Sequence, residues 1–212
     1  MGEDIDKSYI EKVKNLVIRK DLIEAHARDL KIIYTPLHGT GNIPVRRTLK
    51  ELGYENVSVV KEQESPDGTF PTAEYPNPED PRVFKLALDM AQTIKPDIIF
   101  GTDPDCDRIG IVVKNLEGQY KTLTGNQVGV LLTNYILLSL KELGKLPKNG
   151  AIVKTIVTTE MAEDIAKEYG TTITFQQIDV YSQLGYGMID NTSLNINKND
   201  CWNYILSEKD IC

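Results

Sequence analysis

The chain has 212 residues, of which 41% are hydrophobic, and its formal net charge is -7. That length holds one large domain or two modest ones with buried cores. An acidic chain without a Lys/Arg block is unsuited to general binding of nucleic acid or of anionic membranes. No stretch approaches the roughly 20 apolar residues that cross a bilayer, and the three cysteines lack metal-type spacing, so we expect a cytoplasmic protein without disulfides.

The N-terminal part of the sequence predicts helices followed by a strand. Residues 5–28 carry apolar side chains at close to helical spacing and a polar opposite face, which indicates one or two amphipathic helices. The β-branched run at 31–34 predicts a strand that stops before Pro36. A loop, TPLHGTGN, then leads into a helical pattern that ends near Gly53, a residue type typical of helix C-termini.

The middle of the sequence alternates strand and helix patterns around one long loop. The stretch from Ser65 to Pro81 is rich in Pro, Gly and Asp, which predicts irregular structure. The elements predicted around it are, in chain order, a strand at 57–61, a helix at about 83–91, a strand that ends at Phe100, a strand at 109–113 and a hairpin turn at 115–119. This alternation is typical of α/β domains, in which ligands gather at the carboxyl ends of strands.

The pattern restarts after Tyr120 and predicts a second α/β unit. Its elements are a long apolar helix at about 123–144, a strand at 151–157 and a helix at about 159–169. Beyond about Phe175 no periodicity is sustained. We therefore expect an α/β protein with an N-terminal helical lead-in at residues 1–28 and two α/β units, each with a mixed sheet flanked by helices.

Three aspartates alternate in the segment GTDPDCDRI, directly after an apolar strand. Asp103, Asp105 and Asp107 repel one another, and a loop that gathers them usually needs a bound cation. Their alternate spacing can aim several oxygens at one ion, and Mg²⁺ prefers oxygen ligands. A solvated acidic turn is the alternative. A calcium-binding EF-hand is excluded, because Arg108 and Lys114 occupy the positions that require Gly and Glu.

Three further residues are candidates for chemistry, each with a structural alternative. Arg108 suits a phosphate beside a metal, or pairs with a neighbouring carboxylate. Lys154 lies in an apolar strand, where it acts as a general acid or base or extends its amine to solvent from an edge strand. His38, on a loop after a strand, touches substrate or caps the following helix, and the structural role is favoured.

The segment GTDPDCDRIGI resembles the metal-binding loop of the α-D-phosphohexomutases, the family of phosphoglucomutases and phosphomannomutases. Further segments resemble the same family in the same order: YTPLHGTG, FPTAEYPNPE, LTGNQVGVLL and IVKTIVTT. Together they span roughly residues 30–170 and look most similar to the bacterial α-phosphoglucomutases. The resemblance implies that residues 29–120 form the family's second, metal-binding domain and that residues 121–212 form part of its third, sugar-binding domain, with a divergent tail from about residue 175.

The resemblance also implies a role for each candidate residue. The three aspartates of the loop match the family's Mg²⁺ ligands, Arg108 matches a residue beside the transferring phosphate, and Lys154 matches a candidate general acid or base. Arg108 and Lys154, together with His38, would contact the substrate. A phosphoserine would pass a phosphoryl group to and from the sugar, interconverting hexose 1-phosphate and hexose 6-phosphate through a bisphosphorylated intermediate, with Mg²⁺ and Arg108 stabilising the charge in flight.

Three features of the family are not found in the sequence. The serine loop, which reads TASHNP in the family, is absent, and so is the fourth, phosphate-clamping domain. The sugar loops of the third domain are not recognisable after Phe175. We therefore expect a mutase fragment that is inactive by itself and whose partners are a glucose or mannose phosphate and the missing domains of the same enzyme.

Two other functions compete with a mutase. An aspartyl-nucleophile phosphatase would phosphorylate Asp103 and use Asp105 as its acid or base, but the third aspartate followed by arginine favours the mutase. A non-catalytic binding module would keep the sheet and show no dependence on Mg²⁺.

Overall fold

A computed structural model describes residues 2–155 and 157–176, with only the backbone described for 174–176. The chain divides into two compact units after Gly125. The predicted change of pattern after about residue 175 falls almost entirely outside the described residues. Among the described helices, none is long and apolar enough to cross a membrane.

Two helices precede the first sheet, as the amphipathic pattern predicts. Helix α1 spans Glu3–Asn15 and helix α2 spans Lys20–His26. Acidic residues in the first turn of α1 and lysines in its last turn complement the helix dipole. Ile10 is the buried residue of α1. The helix is also tied to the body of the unit by ion pairs, Lys14 with Glu51 among them.

The first unit is built on a five-stranded mixed sheet. Its strands are β1 (Lys31–Thr35), β2 (Asn56–Val59), β3 (Ile98–Thr102), β4 (Ile109–Lys114) and β5 (Tyr120–Thr122), in the order β2-β1-β3-β4-β5. Strand β1 pairs in parallel with β2 and with β3, whereas β4 runs antiparallel to both β3 and β5. Because β1 and β3 are parallel neighbours, the loops that follow them emerge at the same edge of the sheet.

Helices α3 (Asn42–Glu51) and α4 (Lys85–Ile94) belong to the same unit. The core combines the central strands with the apolar stripe of α4, and Ile33, Phe84, Ala87 and Ile99 are fully buried there. Strand β1 is buried at four of its five positions, as expected for a central strand covered on both faces. The segment 65–80 has no helix or strand, which confirms the predicted loop.

The second unit contains helix α5 (Gly125–Glu142), strand β6 (Ala151–Thr155), helix α6 (Met161–Glu168) and strand β7 (Thr172–Gln176). Strands β6 and β7 pair in parallel. The sequence did not predict β7, although TITF is rich in β-branched residues, because the run is short and stands where the composition changes. The alternation of strands and helices confirms the predicted α/β class.

Candidate metal centre

The acidic loop begins where β3 ends, and its first aspartate is buried. Asp103 is only 1% exposed, and its Oδ1 accepts hydrogen bonds of 3.0 Å from the backbone N–H groups of Asp107 and Arg108. The loop closes further through Cys106, whose N–H donates to the Asp103 carbonyl and whose φ of 65° is left-handed. Asp103 therefore sets the backbone conformation of the whole loop.

Arg108 provides the second support of the buried carboxylate. Its Nε donates to Oδ2 of Asp103 at 2.7 Å and lies 3.7 Å from Oδ1 of Asp107. The Arg108 side chain is 52% exposed. The predicted ion pair with a neighbouring carboxylate is thus present, and it leaves half of the arginine surface open to a ligand.

The three carboxylates converge. Asp103, Asp105 and Asp107 each offer an oxygen that lies within 4.8 Å of the other two, and Asp105 and Asp107 are exposed. Opposite ligands of octahedral Mg²⁺ lie about 4 Å apart, so small rotations of the two exposed side chains bring all three oxygens to one ion. The donor set, three carboxylates at a strand end, fits a hard divalent cation.

The closeness of the three carboxylates changes the pKa values of two of them, Asp107 and Asp103. The negative charges of Asp105 and Asp103 raise the pKa of Asp107 above its ordinary value. For Asp103, burial opposes ionisation, but the hydrogen bonds from the Arg108 backbone and guanidinium outweigh it and hold the pKa below its usual range. The loop therefore keeps one carboxylate firmly ionised and two others in mutual repulsion, which a cation would relieve.

The loop after β1 supports the acidic loop, a relationship that the sequence did not predict. The backbone N–H and hydroxyl of Thr40 both donate to the Pro104 carbonyl, at 2.8 and 3.0 Å. A Cβ on Gly39 would lie 2.3 Å from the Cα of Pro104, so only glycine permits this approach. The glycines of PLHGTG were the available signal, but their partner lies more than sixty residues away in the sequence.

His38 anchors the long loop and makes no helix cap. Its Nδ1 lies 3.1 Å from the Ser65 carbonyl and its Nε2 lies 2.9 Å from the Thr72 hydroxyl, while the side chain is buried. Its backbone is left-handed, with φ of 62°. The structural role is the predicted one, but the imidazole holds residues 65–72 rather than the start of α3. A contact of His38 with substrate stays a prediction.

Lys154 lies in the second unit and is buried, as its apolar neighbours predict. Its Nζ donates to the Thr158 carbonyl at 3.0 Å and lies 4.0 Å from the Glu163 carboxylate on α6. The predicted extension of the amine to solvent is wrong, because the side chain is only 3% exposed. These contacts join the end of β6 to the following turn and helix, and a role in proton transfer stays a prediction.

Family models match most of the described chain. Residues 7–118 match phosphoglucomutase/phosphomannomutase, alpha/beta/alpha domain II. The chain belongs to the phosphoglucomutase/phosphomannomutase family. Residues 124–178 match alpha/beta/alpha domain III of the same family. The resemblance to the phosphohexomutases is confirmed, and the metal loop described above lies inside the domain II match.

Curated relatives in this family are much longer than the chain. The phosphoglucomutase of Staphylococcus haemolyticus is 34% identical over 173 residues, which cover 82% of this chain and 30% of the relative. The phosphoglucomutase of Staphylococcus saprophyticus is 37% identical over 166 residues, covering 78% of this chain and 29% of the relative. The chain thus spans about 30% of the length of the curated relatives it matches.

A solved structure of another enzyme shows a similar fold. The N-acetylphosphoglucosamine mutase of Aspergillus fumigatus, in complex with GlcNAc-6P and magnesium, has a TM-score of 0.51 and 19% identity, covering 84% of this chain and 33% of that one. At this identity the comparison supports the fold alone.

Proposed function

We propose that the acidic loop is the Mg²⁺-binding element of a hexose-phosphate mutase. The observation that carries this proposal is the convergence of three carboxylate oxygens within 4.8 Å at the end of β3, beside a half-exposed arginine. Membership of the phosphoglucomutase/phosphomannomutase family supports it. The substrate that we propose is a phosphorylated hexose, glucose or mannose phosphate.

Each residue of the loop has a distinct role in this proposal. Asp103 is fixed by its hydrogen bonds and would present one oxygen to the ion, and the exposed Asp105 and Asp107 would supply the other two carboxylate ligands. When bound, Mg²⁺ would neutralise charge on the phosphoryl group being transferred. Arg108 is held through Nε by Asp103, so its remaining guanidinium N–H groups would bind phosphoryl oxygens.

The remaining parts of the reaction come from outside the metal loop. We propose that a phosphoserine on another domain of the enzyme exchanges the phosphoryl group with the sugar, and that hexose 1-phosphate and hexose 6-phosphate interconvert through a bisphosphorylated intermediate. Lys154 is the proposed proton carrier for the sugar hydroxyl. Its amine is buried and already donates to the Thr158 carbonyl, so a proton transfer to the sugar would require that hydrogen bond to break.

The phosphatase alternative is disfavoured by the environment of Asp103. A nucleophilic carboxylate needs an oxygen that can reach phosphorus. Here the carboxylate is buried, Oδ1 accepts two backbone hydrogen bonds, and Oδ2 is paired with Arg108. This arrangement suits a fixed ligand better than a nucleophile.

Calorimetric titration tests the proposed function. We expect α-D-glucose 1,6-bisphosphate to bind the chain in the presence of Mg²⁺ and to bind much more weakly with EDTA. Asp105→Asn should weaken the Mg²⁺-dependent binding. Glu117→Gln, at the exposed tip of the β4–β5 hairpin, is the matched control and should leave binding unchanged. Equal binding with Mg²⁺ and with EDTA would contradict the proposal and favour a non-catalytic module.

The same protein separates the mutase from the phosphatase. After incubation with beryllofluoride and Mg²⁺, a phosphatase would carry the aspartyl-phosphate mimic on Asp103, which fluorine NMR detects. We expect no adduct at this buried carboxylate. Its appearance in the wild-type chain, and its loss in Asp103→Asn, would replace the mutase by the phosphatase.

A further inference from the structure

The loops that follow β1 and β3 run side by side in the first unit. A Cβ on Gly39 would lie 2.3 Å from the Cα of Pro104 and 2.5 Å from its carbonyl oxygen. A Cβ on Gly41 would lie 2.8 Å from the Sγ of Cys106. The first loop therefore follows the acidic loop over several residues, and Thr40, between the two glycines, adds hydrogen bonds to this contact.

Thr40 holds one peptide group of the acidic loop. Its backbone N–H and its hydroxyl both donate to the Pro104 carbonyl, at 2.8 and 3.0 Å, and a carbonyl oxygen has two lone pairs to receive them. Because a peptide unit is planar, fixing the carbonyl of Pro104 also fixes the Cα of the next residue, Asp105. Thr40 thus sets the point from which the Asp105 side chain extends.

Asp105 depends on this support more than the other two aspartates do. Asp103 accepts hydrogen bonds from the Arg108 guanidinium and from the backbone N–H of Asp107, which ties those two aspartates to each other. Among the described residues, the Asp105 carboxylate has no partner in a hydrogen bond or an ion pair. Its position relative to the other carboxylates is therefore set through its backbone, which Thr40 holds.

The Thr40 hydroxyl is better placed to tune metal binding than to stabilise the fold. Thr40 is exposed, so water can take over much of the hydrogen bonding when the hydroxyl is removed. An ion bound by three carboxylates needs all three at once, and a ligand that must be ordered on binding lowers the affinity. Loss of the hydroxyl should therefore change the affinity for Mg²⁺ more than the free energy of unfolding.

We propose that Thr40 is a positioning residue for the metal centre, whose hydroxyl fixes the peptide between Pro104 and Asp105 so that this carboxylate faces the same ion as the other two. Thr40 acts on the ion only through the backbone of Asp105. This inference rests on the proposed function and adds to it a residue outside the acidic loop. It gives the segment YTPLHGTG a role in metal binding.

Calorimetric titration of the full chain with Mg²⁺ alone tests this role. Thr40→Val keeps the shape of the side chain and the backbone N–H but removes the hydroxyl. We expect it to bind Mg²⁺ about three- to tenfold more weakly than the wild type, in line with the loss of one hydrogen bond between neutral groups. Thr40→Ser restores the hydroxyl and should bind Mg²⁺ as the wild type does.

Thr48→Val is the matched control, because the Thr48 hydroxyl also donates to a proline carbonyl, that of Pro44 at 2.8 Å, within α3. Its affinity for Mg²⁺ should equal that of the wild type. Urea unfolding without metal measures the stability of both valine variants. Equally weakened Mg²⁺ binding in Thr40→Val and Thr48→Val would trace the effect to a general loss of stability and overturn the positioning role.

The metal-free chain gives a second readout by NMR. The carbonyl carbon resonance of Pro104 responds to hydrogen bonding at its oxygen, so it should shift in Thr40→Val and keep its position in Thr48→Val. An unshifted resonance in Thr40→Val would show that the hydroxyl does not hold this peptide, and the proposal would fall.

The remaining outcomes separate the role of Thr40 from the proposed function. Wild-type affinity in Thr40→Val would overturn the positioning role and leave the proposed function intact. Binding in Thr40→Ser as weak as in Thr40→Val would do the same, because the hydroxyl would then not be the active group. If the wild type binds no Mg²⁺, the positioning role falls together with the proposed function.

Discussion

Arg108 donates from Nε to Oδ2 of Asp103 at 2.7 Å, which joins a half-exposed cation to a buried anion five residues earlier in the chain. The same carboxylate accepts the backbone N–H groups that follow it in the loop. The acidic loop is thus organised around one charge that faces inward. The metal site that we propose adds the exposed carboxylates of Asp105 and Asp107 to this buried carboxylate.

Asp103→Asn should lower the free energy of unfolding by about 1–3 kcal/mol, because one carboxylate oxygen becomes an amide donor that faces the donors of Arg108 and the backbone. Urea unfolding without metal measures this change. Asp105→Asn is the control, since Asp105 is exposed, and it should leave the stability nearly unchanged. A variant Asp103→Asn as stable as wild type would show that the loop holds its shape without the buried charge.

Mg²⁺ should raise the melting temperature of the wild-type chain, because an ion that binds only the folded loop stabilises it. At ten times the dissociation constant the gain is about 1.4 kcal/mol. Asp105→Asn and Asp107→Asn should each reduce this gain, whereas Glu117→Gln should keep it. Thermal melts with Mg²⁺ and with EDTA make the comparison, and an equal gain in Asp105→Asn would remove Asp105 from the ligand set.

The sequence predicted strands β1 to β4, strand β6 and the acidic loop because their signals are local. The apolar run before Asp103 marks the end of β3, and the alternate aspartates mark the loop that follows. Neighbouring residues in the sequence therefore indicate both where the loop lies and that it can bind a metal ion. The predicted strand at 151–157 ends at Thr155, and Val157 lies in a turn, because an apolar run does not by itself mark where pairing stops.

The supports of the site were not predictable in the same way. Thr40 and Pro104 meet only because β1 and β3 are neighbours, and strand order is set by tertiary packing. The predicted partner of His38, the start of α3, is wrong for the same reason. The start of α3 is close to His38 in the sequence, whereas Thr72 contacts it in the structure. For Lys154 the pattern predicted burial, but its contacts depend on a helix that begins seven residues later.

Gly39→Ala should destabilise the first unit by about 2–3 kcal/mol, because the added Cβ would meet the Pro104 backbone at 2.3 Å. Since Pro104 lies in the acidic loop, the affinity for Mg²⁺ should fall as well. Gly68→Ala is the matched control on the neighbouring loop, where an added Cβ meets nothing within 4 Å. Urea unfolding and Mg²⁺ calorimetry measure both effects, and a Gly39→Ala protein that binds Mg²⁺ normally would uncouple the two loops.

Tyr34 should make the stability of the first unit depend on alkaline pH. Burial raises the pKa of its phenol, which also shares a hydrogen bond of 2.9 Å with Thr102 at the end of β3. In the unfolded chain a tyrosine ionises near pH 10, so its contribution is complete below about pH 10 and is lost as the pH rises toward the folded value. Tyr34→Phe removes this ionisation. We expect the difference in unfolding free energy between wild type and Tyr34→Phe to shrink from pH 9 to pH 11, and a constant difference would contradict the assignment.

Lys154→Met should lower the stability of the second unit by about 1–3 kcal/mol, because the Thr158 carbonyl and the Glu163 carboxylate lose a buried partner. Lys167→Met is the matched control: Lys167 also lies within 3.8 Å of Glu163, but its side chain is 68% exposed, so the loss should be small. Hydrogen exchange of the α6 amides localises the effect, since weakened protection is expected in Lys154→Met and not in Lys167→Met. Unchanged protection in Lys154→Met would show that the lysine does not hold the turn to α6.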